Sequence, residues 1–292
     1  MKKNNILFFL CLCSAMGAAA QNWPEVKPEA RPGSRWWWLG SAVDKDNLNY
    51  NLKEYGKAGL GSLEVTPIYG VKGNESHNLC FLSPEWMEMF RYTQEVGKTN
   101  GIDIDMNTGT GWPFGGPEVS LSQAAAKAIF ECYEVKGGEP VKLEINIRDP
   151  KEQKQRDVAY LDCLMAYGTD GKVVNLTKKV KDGYLQWDAP AGDWQLVALF
   201  VGRTFQKVKR AAPGGEGYVM DHFSPVSVKS YFEKFDKAFK TNKVNFPRTF
   251  FNDSYEVYGA DWTPAFLKEF AARRGYRLKI IFRSLFHRNG LN

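Results

Sequence analysis

Two hydrophobic rhythms succeed one another along the chain. Residues 35–39 are a short run of large apolar side chains behind Arg35 and predict a strand. Residues 44–58 then place Leu48, Leu52, Tyr55 and Ala58 near helical spacing behind an acidic start, with Gly59 to stop the helix. Residues 61–69 read as a second strand and its exit loop, and Ser83 with Pro84 supplies a capping residue and an N1 proline for a helix over 85–98. Residues 102–106 predict a third strand that runs into the glycine-rich loop 107–116. Strand, helix, strand, helix, strand at this spacing predicts parallel βα units.

From about residue 128 to residue 206 the rhythm changes to short alternating segments at 141–147, 158–167, 173–176, 184–187 and 194–205, parted by turn signals such as Gly137 with Gly138. This predicts a small antiparallel β domain inserted into the α/β domain, with 213–217 as the return linker. The α/β rhythm then resumes with a short strand at 218–223, a helix opened by Ser224 and Pro225, a strand at 248–252, and a helix over 263–274 closed by Gly275.

Composition changes this picture at the two ends. Lys2 and Lys3, an apolar run from Ile6, and Ala18 to Ala20 before Gln21 read as an export signal over 1–20, too short in its apolar part to span a membrane. The expected product is a bacterial protein of the periplasm or the exterior, without a membrane span. Of the formal charge of +6, two charges leave with Lys2 and Lys3, and six sit in Arg273, Arg274, Arg277, Lys279, Arg283 and Arg288. What lies between is slightly acidic, so the basic balance belongs to the tail and does not imply nucleic-acid binding. Cys80, Cys132 and Cys163, the cysteines beyond the signal, have neither disulfide-framework nor metal-ligand spacing and are expected as three buried thiols.

The candidate chemistry gathers where predicted strands end. Residues 248–252 stop abruptly on Asp253 and Glu256. Strand alternation would send these two acids to opposite faces, so they share a pocket only if the backbone leaves the strand at about Asp253. Glu64 near the end of the second strand suits contact with a sugar hydroxyl or a cation, and Asp105 and Asn107, ending the third, suit contact with a substrate. Trp36, Trp37, Trp38 and Trp112 offer faces for stacking a pyranose ring, Trp112 foremost because it lies in a glycine-rich loop, with Trp38 as a second choice. Asp221 and His222 form a further pair at a predicted strand end. The loop 107–116 lacks the lysine and hydroxyl ending of a phosphate cradle, which argues against a nucleotide.

The run 252–256, followed by Asp261, Trp262, Thr263 and Pro264, then Phe266, Phe270 and residues 273–276, resembles the catalytic-strand segment of glycoside hydrolase family 106, the bacterial α-L-rhamnosidases. Residues 35–38, 59–65, 67–69 and 108–112 are similar to that family's first three barrel strands and loops, and the resemblance runs in order from about 31 to 278. It implies an α/β fold, a (β/α)8 TIM-type barrel interrupted by an antiparallel β domain, of which this chain offers five strand candidates at most: 21–127 and 213–278 as barrel, 128–212 as β-sandwich-like insertion, and 279–292 as an atypical basic tail. It also implies an inverting hydrolase of oligosaccharide or polysaccharide, Glu256 and Asp253 as catalytic carboxylates, a partner carboxylate well downstream, and a calcium ion near the sugar with ligands that the sequence does not name. The alternative expectation is a truncated, non-catalytic fragment that at most binds glycans.

Overall fold

The computed structural model describes residues 24–284; the export signal expected over 1–20 and tail residues 285–292 lie outside the described residues. Four strands form a parallel sheet in the order β1 (Gly33–Leu39), β2 (Ser62–Ile68), β3 (Asp103–Asn107) and β13 (Phe250–Phe251). Helices α1 (Lys45–Lys57) and α2 (Pro84–Thr99) connect the first three strands, and α3 (Pro225–Asn242) precedes the fourth. The helices start where side chains cap free N–H groups. Asp44 accepts from Asn47 N, Ser83 from Trp86 N and Ser224 from Ser227 N, each cap stabilising by about 1 kcal/mol. Along α3, Tyr231, Phe235 and Phe239 recur every fourth residue and form one buried stripe.

Side chains alternate across the parallel sheet, and the two faces differ in kind. Trp36, Trp38, Leu63, Val65, Ile104, Met106 and Phe250 face the helices and join Trp86, Phe90, Phe235 and Phe239 in one core. Each such burial contributes roughly 1.5–3 kcal/mol. The other face carries Arg35, Trp37, Glu64, Thr66, Asp105, Asn107 and Phe251, with Arg35 level with Glu64 and Glu64 level with Asp105. This face is concave. A flat sheet would hold its first and fourth strands roughly 14 Å apart, yet Arg35 of β1 reaches Asp253, just beyond β13, at 3.0 Å.

The second region is antiparallel. One sheet runs β5 (Ala126–Gly137), β11 (Gly192–Arg203), β7 (Tyr160–Gly168), β8 (Val173–Asn175), and a smaller one runs β6 (Pro140–Glu144), β10 (Tyr184–Asp188), β9 (Val180–Lys181). Between them lie Ile129, Leu164, Leu185, Trp187, Trp194 and Leu196. The opposite face of the larger sheet buries Cys163, Met165, Val197 and Leu199 against Trp262 and Phe282, with Phe266 of α4 (Phe266–Arg274) packed alongside. Residues 263–274, expected as a barrel helix, therefore rest on the antiparallel sheet. β5 was not predicted as a strand, because its alanine-rich start lacks the β-branched residues that signal one.

Two further expectations change. Residues 218–223 do not join the parallel sheet; β12 (Tyr218–Val219) pairs antiparallel with β4 (Gly115–Gly116), and Met220 makes an isolated antiparallel bridge to Ala124. The Asp221 carboxylate accepts from Phe223 N and turns the chain there, so the parallel sheet has four strands among the described residues. All three cysteines are free, but only Cys163 is buried; Cys80 is exposed and Cys132 half-buried. Among the described residues no helix is long and apolar enough to cross a membrane.

Candidate active site

The concave face is organised around two guanidinium groups. Arg35 pairs with Asp253 at 3.0 Å and Glu64 at 3.5 Å, and its guanidinium carbon lies 5.3 Å from the Trp37 ring centre and 5.4 Å from that of Phe251. Arg248 donates from Nε and Nη2 to the two oxygens of Asp105 at 3.0 and 2.6 Å, and also pairs with Asp103. Asp105 accepts in addition from the Thr249 backbone N–H and hydroxyl, so this buried acid is fully engaged.

Glu64 is the acid of this face that resists ionisation. Burial raises its pKa above the usual carboxylate value, and the neighbouring charges of Asp253 and Asp105 push the same way. The hydroxyl of Thr66, 2.9 Å away, and the charge of Arg35 oppose the shift without cancelling it. One row further along β3, Asn107 is 3% exposed and its Nδ2 has no acceptor among the described residues.

Loops close on the end of the sheet toward which the strands run. Gly111 has φ +55°, and a β carbon there would stand 2.1 Å from the Lys209 carbonyl, so the loop lies flat against residues 209–210 only with glycine. Trp112 and Lys209 exchange backbone hydrogen bonds at 3.1 Å, and the Trp112 ring lies 6.1 Å from Trp37. Arg210 accepts from Tyr69 N at the end of β2, while Gln206 holds the Glu256 carbonyl and the Tyr258 N–H. The segment 206–210 thus spans from the Trp112 loop to the loop of Asp253 and Glu256.

The strand before Asp253 does end early, as a shared pocket would require: β13 stops at Phe251 and residues 252–256 are irregular. Asp253 turns to Arg35. Glu256 is exposed, and its carboxylate makes no hydrogen bond or ion pair among the described residues. The structure thus groups Asp253 with Glu64 and Asp105, and Glu256 stands apart. Between them Tyr255 packs 4.9 Å from His222 and 5.9 Å from Phe114. His222 is held below its ordinary pKa by burial, and its Nδ1 has no partner among the described residues. Asp221, 2% exposed, accepts from the Thr263 hydroxyl at 2.8 Å, and burial raises its pKa.

Trp38 is a correction. It is 1% exposed and packs 5.6 Å from Trp86 on the helix side of the sheet, so it belongs to the core, and its neighbour Trp37 takes the place beside Trp112. Arg35, Thr66, Arg248 and Phe251 were missed as well. Parity could have found most of them, because Arg35 and Trp37 share a strand face that excludes Trp36 and Trp38.

The family model of the alpha-L-rhamnosidases, glycoside hydrolase 106, matches residues 24–171 and 166–285. The chain belongs to this family. A solved structure of a rhamnosidase from Novosphingobium sp. PP1Y superposes on 89% of the chain with a TM-score of 0.72 at 16% identity. A Formosa agariphila protein that bears the provisional name beta-glucuronidase is 25% identical over 86% of the chain. The chain spans 42% of that rhamnosidase and 25% of the Formosa protein.

A calcium ion is implied by the family resemblance alone. Among the described residues no group of three or more His, Cys, Asp or Glu side chains is arranged to hold a metal ion. The acids of the concave face that come closest to such a set already engage Arg35 and Arg248, and no step below runs through calcium.

Proposed function

We propose that this chain carries the sugar-binding face and one catalytic carboxylate of an inverting glycosidase that removes a neutral deoxysugar of the α-L-rhamnoside type from oligosaccharide or polysaccharide. The observation that carries this reading is the charge balance of the concave face. Both guanidiniums are already paired, Arg35 with Asp253 and Glu64 and Arg248 with Asp103 and Asp105. A uronate carboxylate set on that face would meet acids and no free cation, an arrangement Coulomb repulsion penalises. A neutral ring can lie against Trp37, Trp112 or Phe251 and hydrogen-bond to Glu64 and Asn107 without that penalty.

Within this reading Glu256 is a catalytic carboxylate, and Asp253, held over the face by Arg35, is a separate acid beside the sugar. An inverting partner belongs roughly 6.5–9.5 Å away to leave room for water, and we assign it to sequence further along the family's chain. The parallel sheet and its helices α1, α2 and α3 then form part of a (β/α)8 barrel, 128–212 an inserted β domain, and 1–20 an export signal to the periplasm or beyond. A second reading, glycan binding without turnover, is favoured by one observation: the Glu256 carboxylate has no partner among the described residues to tune it.

The test is turnover of an aryl α-L-rhamnoside beside an aryl β-glucuronide. In a protein that carries the partner carboxylate we expect hydrolysis of the first alone, and a loss of about 10²–10⁴-fold in kcat for Glu256→Gln, the range for removing a general acid or base. Preference for the glucuronide would overturn the neutral-sugar reading, and turnover indifferent to Glu256→Gln would remove that residue from the mechanism. Binding of rhamnoside with no turnover would select the second reading.

A further inference from the structure

The segment framing the open end of the parallel sheet carries cations that no acid answers. Lys207, Lys209 and Arg210 are exposed, and none has an ion-pair partner among the described residues. Each lies instead against an aromatic ring. Lys207 Nζ is 5.7 Å from the centre of Tyr218, Lys209 Nζ is 4.5 Å from that of Tyr258, and the Arg210 guanidinium carbon is 5.2 Å from that of Tyr69. Tyr69 and Tyr258 are 42% and 63% exposed, so both rings remain open on part of their surface.

The backbone holds these groups in place at a cost. Phe205 and Arg210, which bracket the segment, have φ of +56° and +58°, a left-handed conformation that a β carbon disfavours and that the surroundings must enforce. Enforcement comes from the paired N–H and C=O groups of Trp112 and Lys209, from Tyr69 N on the Arg210 carbonyl, and from close packing on Gly111. Gln206 ties the same segment to the Glu256 loop. Surplus acid on the concave face thus stands beside unanswered cation at its rim.

We propose that Lys209 and Arg210, with the faces of Tyr69 and Tyr258, form a subsite for an anionic sugar residue, its carboxylate or sulfate ester set against the cations and its ring against a tyrosine. The inference rests on the reading of the concave face as the seat of a neutral sugar, and it makes the substrate an acidic glycan from which that neutral unit is removed. Cations laid on aromatic rings and free of counter-ions suit this role.

The experiment measures binding of three probes of matched length to the full chain: oligogalacturonate, sulfated oligodextran and neutral oligodextran. An anionic probe is expected to bind more tightly than the neutral one, with affinity falling as salt rises. Whichever of the two anionic probes binds better identifies carboxylate or sulfate as the preferred group. Lys209→Gln combined with Arg210→Asn is expected to weaken the anionic probe by about tenfold or more, as loss of two charge-assisted contacts implies. Asparagine suits the left-handed conformation at 210, so the melting temperature of this variant should not fall. Lys178→Gln with Lys179→Gln, on the antiparallel region, should leave binding unchanged. Equal binding of charged and neutral probes, or equal loss in the two double variants, overturns the proposal. None of these readouts depends on turnover, so an inactive protein would count against the catalytic reading alone.

Discussion

The two four-stranded sheets of this protein spend their faces differently. The antiparallel sheet is covered on both sides, by the smaller sheet on one and by the packing of Trp262, Phe266 and Phe282 on the other. The parallel sheet buries apolar side chains only on its helix side, and on the other it presents Arg35, Glu64, Asp105 and Asn107. Chemistry is concentrated where apolar burial has been given up. A face lined by ionisable groups must be held by pairing, since unpaired charge at partial burial is costly.

That comparison can be broken most sharply in the antiparallel core. Leu196 is fully buried between the two antiparallel sheets, and Leu196→Ala should lower the unfolding free energy by about 3–4 kcal/mol in chemical denaturation, through lost burial and a cavity. A loss below about 1 kcal/mol would mean that this region is loosely packed and not the covered sheet described. Somewhat smaller is the effect expected of Asp105→Ala, which strands Arg248 and the Thr249 N–H. About 2–3 kcal/mol should go, discounted because Arg248 is partly exposed. An unchanged denaturation midpoint would show that pairing does not hold the charged face.

The smallest effect is the most diagnostic. Burial lifts the Glu64 pKa above its ordinary 4.5. A carboxyl raised in the folded state contributes stability at low pH that is lost as pH rises through its folded value. Glu64→Gln should therefore gain stability relative to the parent protein as pH climbs from about 4 to about 8. A constant difference over that span would mean that Arg35 and Thr66 compensate the burial in full.

Much of the parallel region was legible in advance. Asp44, Ser83 and Ser224 announced helix starts that the structure bears out, and the strands around Glu64 and Asp105 were read in place. Local chemistry sufficed there, because a cap acts on N–H groups within its own turn. The alternation of 128–206 announced antiparallel strands, although β5 itself went unread. Missed elements depended on partners distant in sequence. Residues 218–223 looked like a barrel strand and became a two-residue ribbon on Gly115 and Gly116, and the helix read over 263–274 packs its Phe266 on the antiparallel sheet, a surface its own apolar residues do not specify. For the site, strand ends pointed to Glu64, Asp105 and Asn107, and the glycine-rich loop to Trp112. Trp38 was taken for Trp37 because hydropathy does not distinguish adjacent tryptophans on opposite faces.

By itself, then, the sequence determined the periodicity of its elements, the places where helices begin, the polar residues at the ends of strands and the membership of a glycoside hydrolase family. Those properties are carried by neighbours along the chain, or by short runs of residues kept in order. Only the tertiary structure decided that Arg35 and Asp253, 218 positions apart, meet across a curved sheet, that Glu256 does not join them, and that Lys209 and Arg210 stand at the rim unpaired. The reason is that curvature, register and the pairing of charges depend on where distant strands come to lie, and no local rule along the chain encodes that distance.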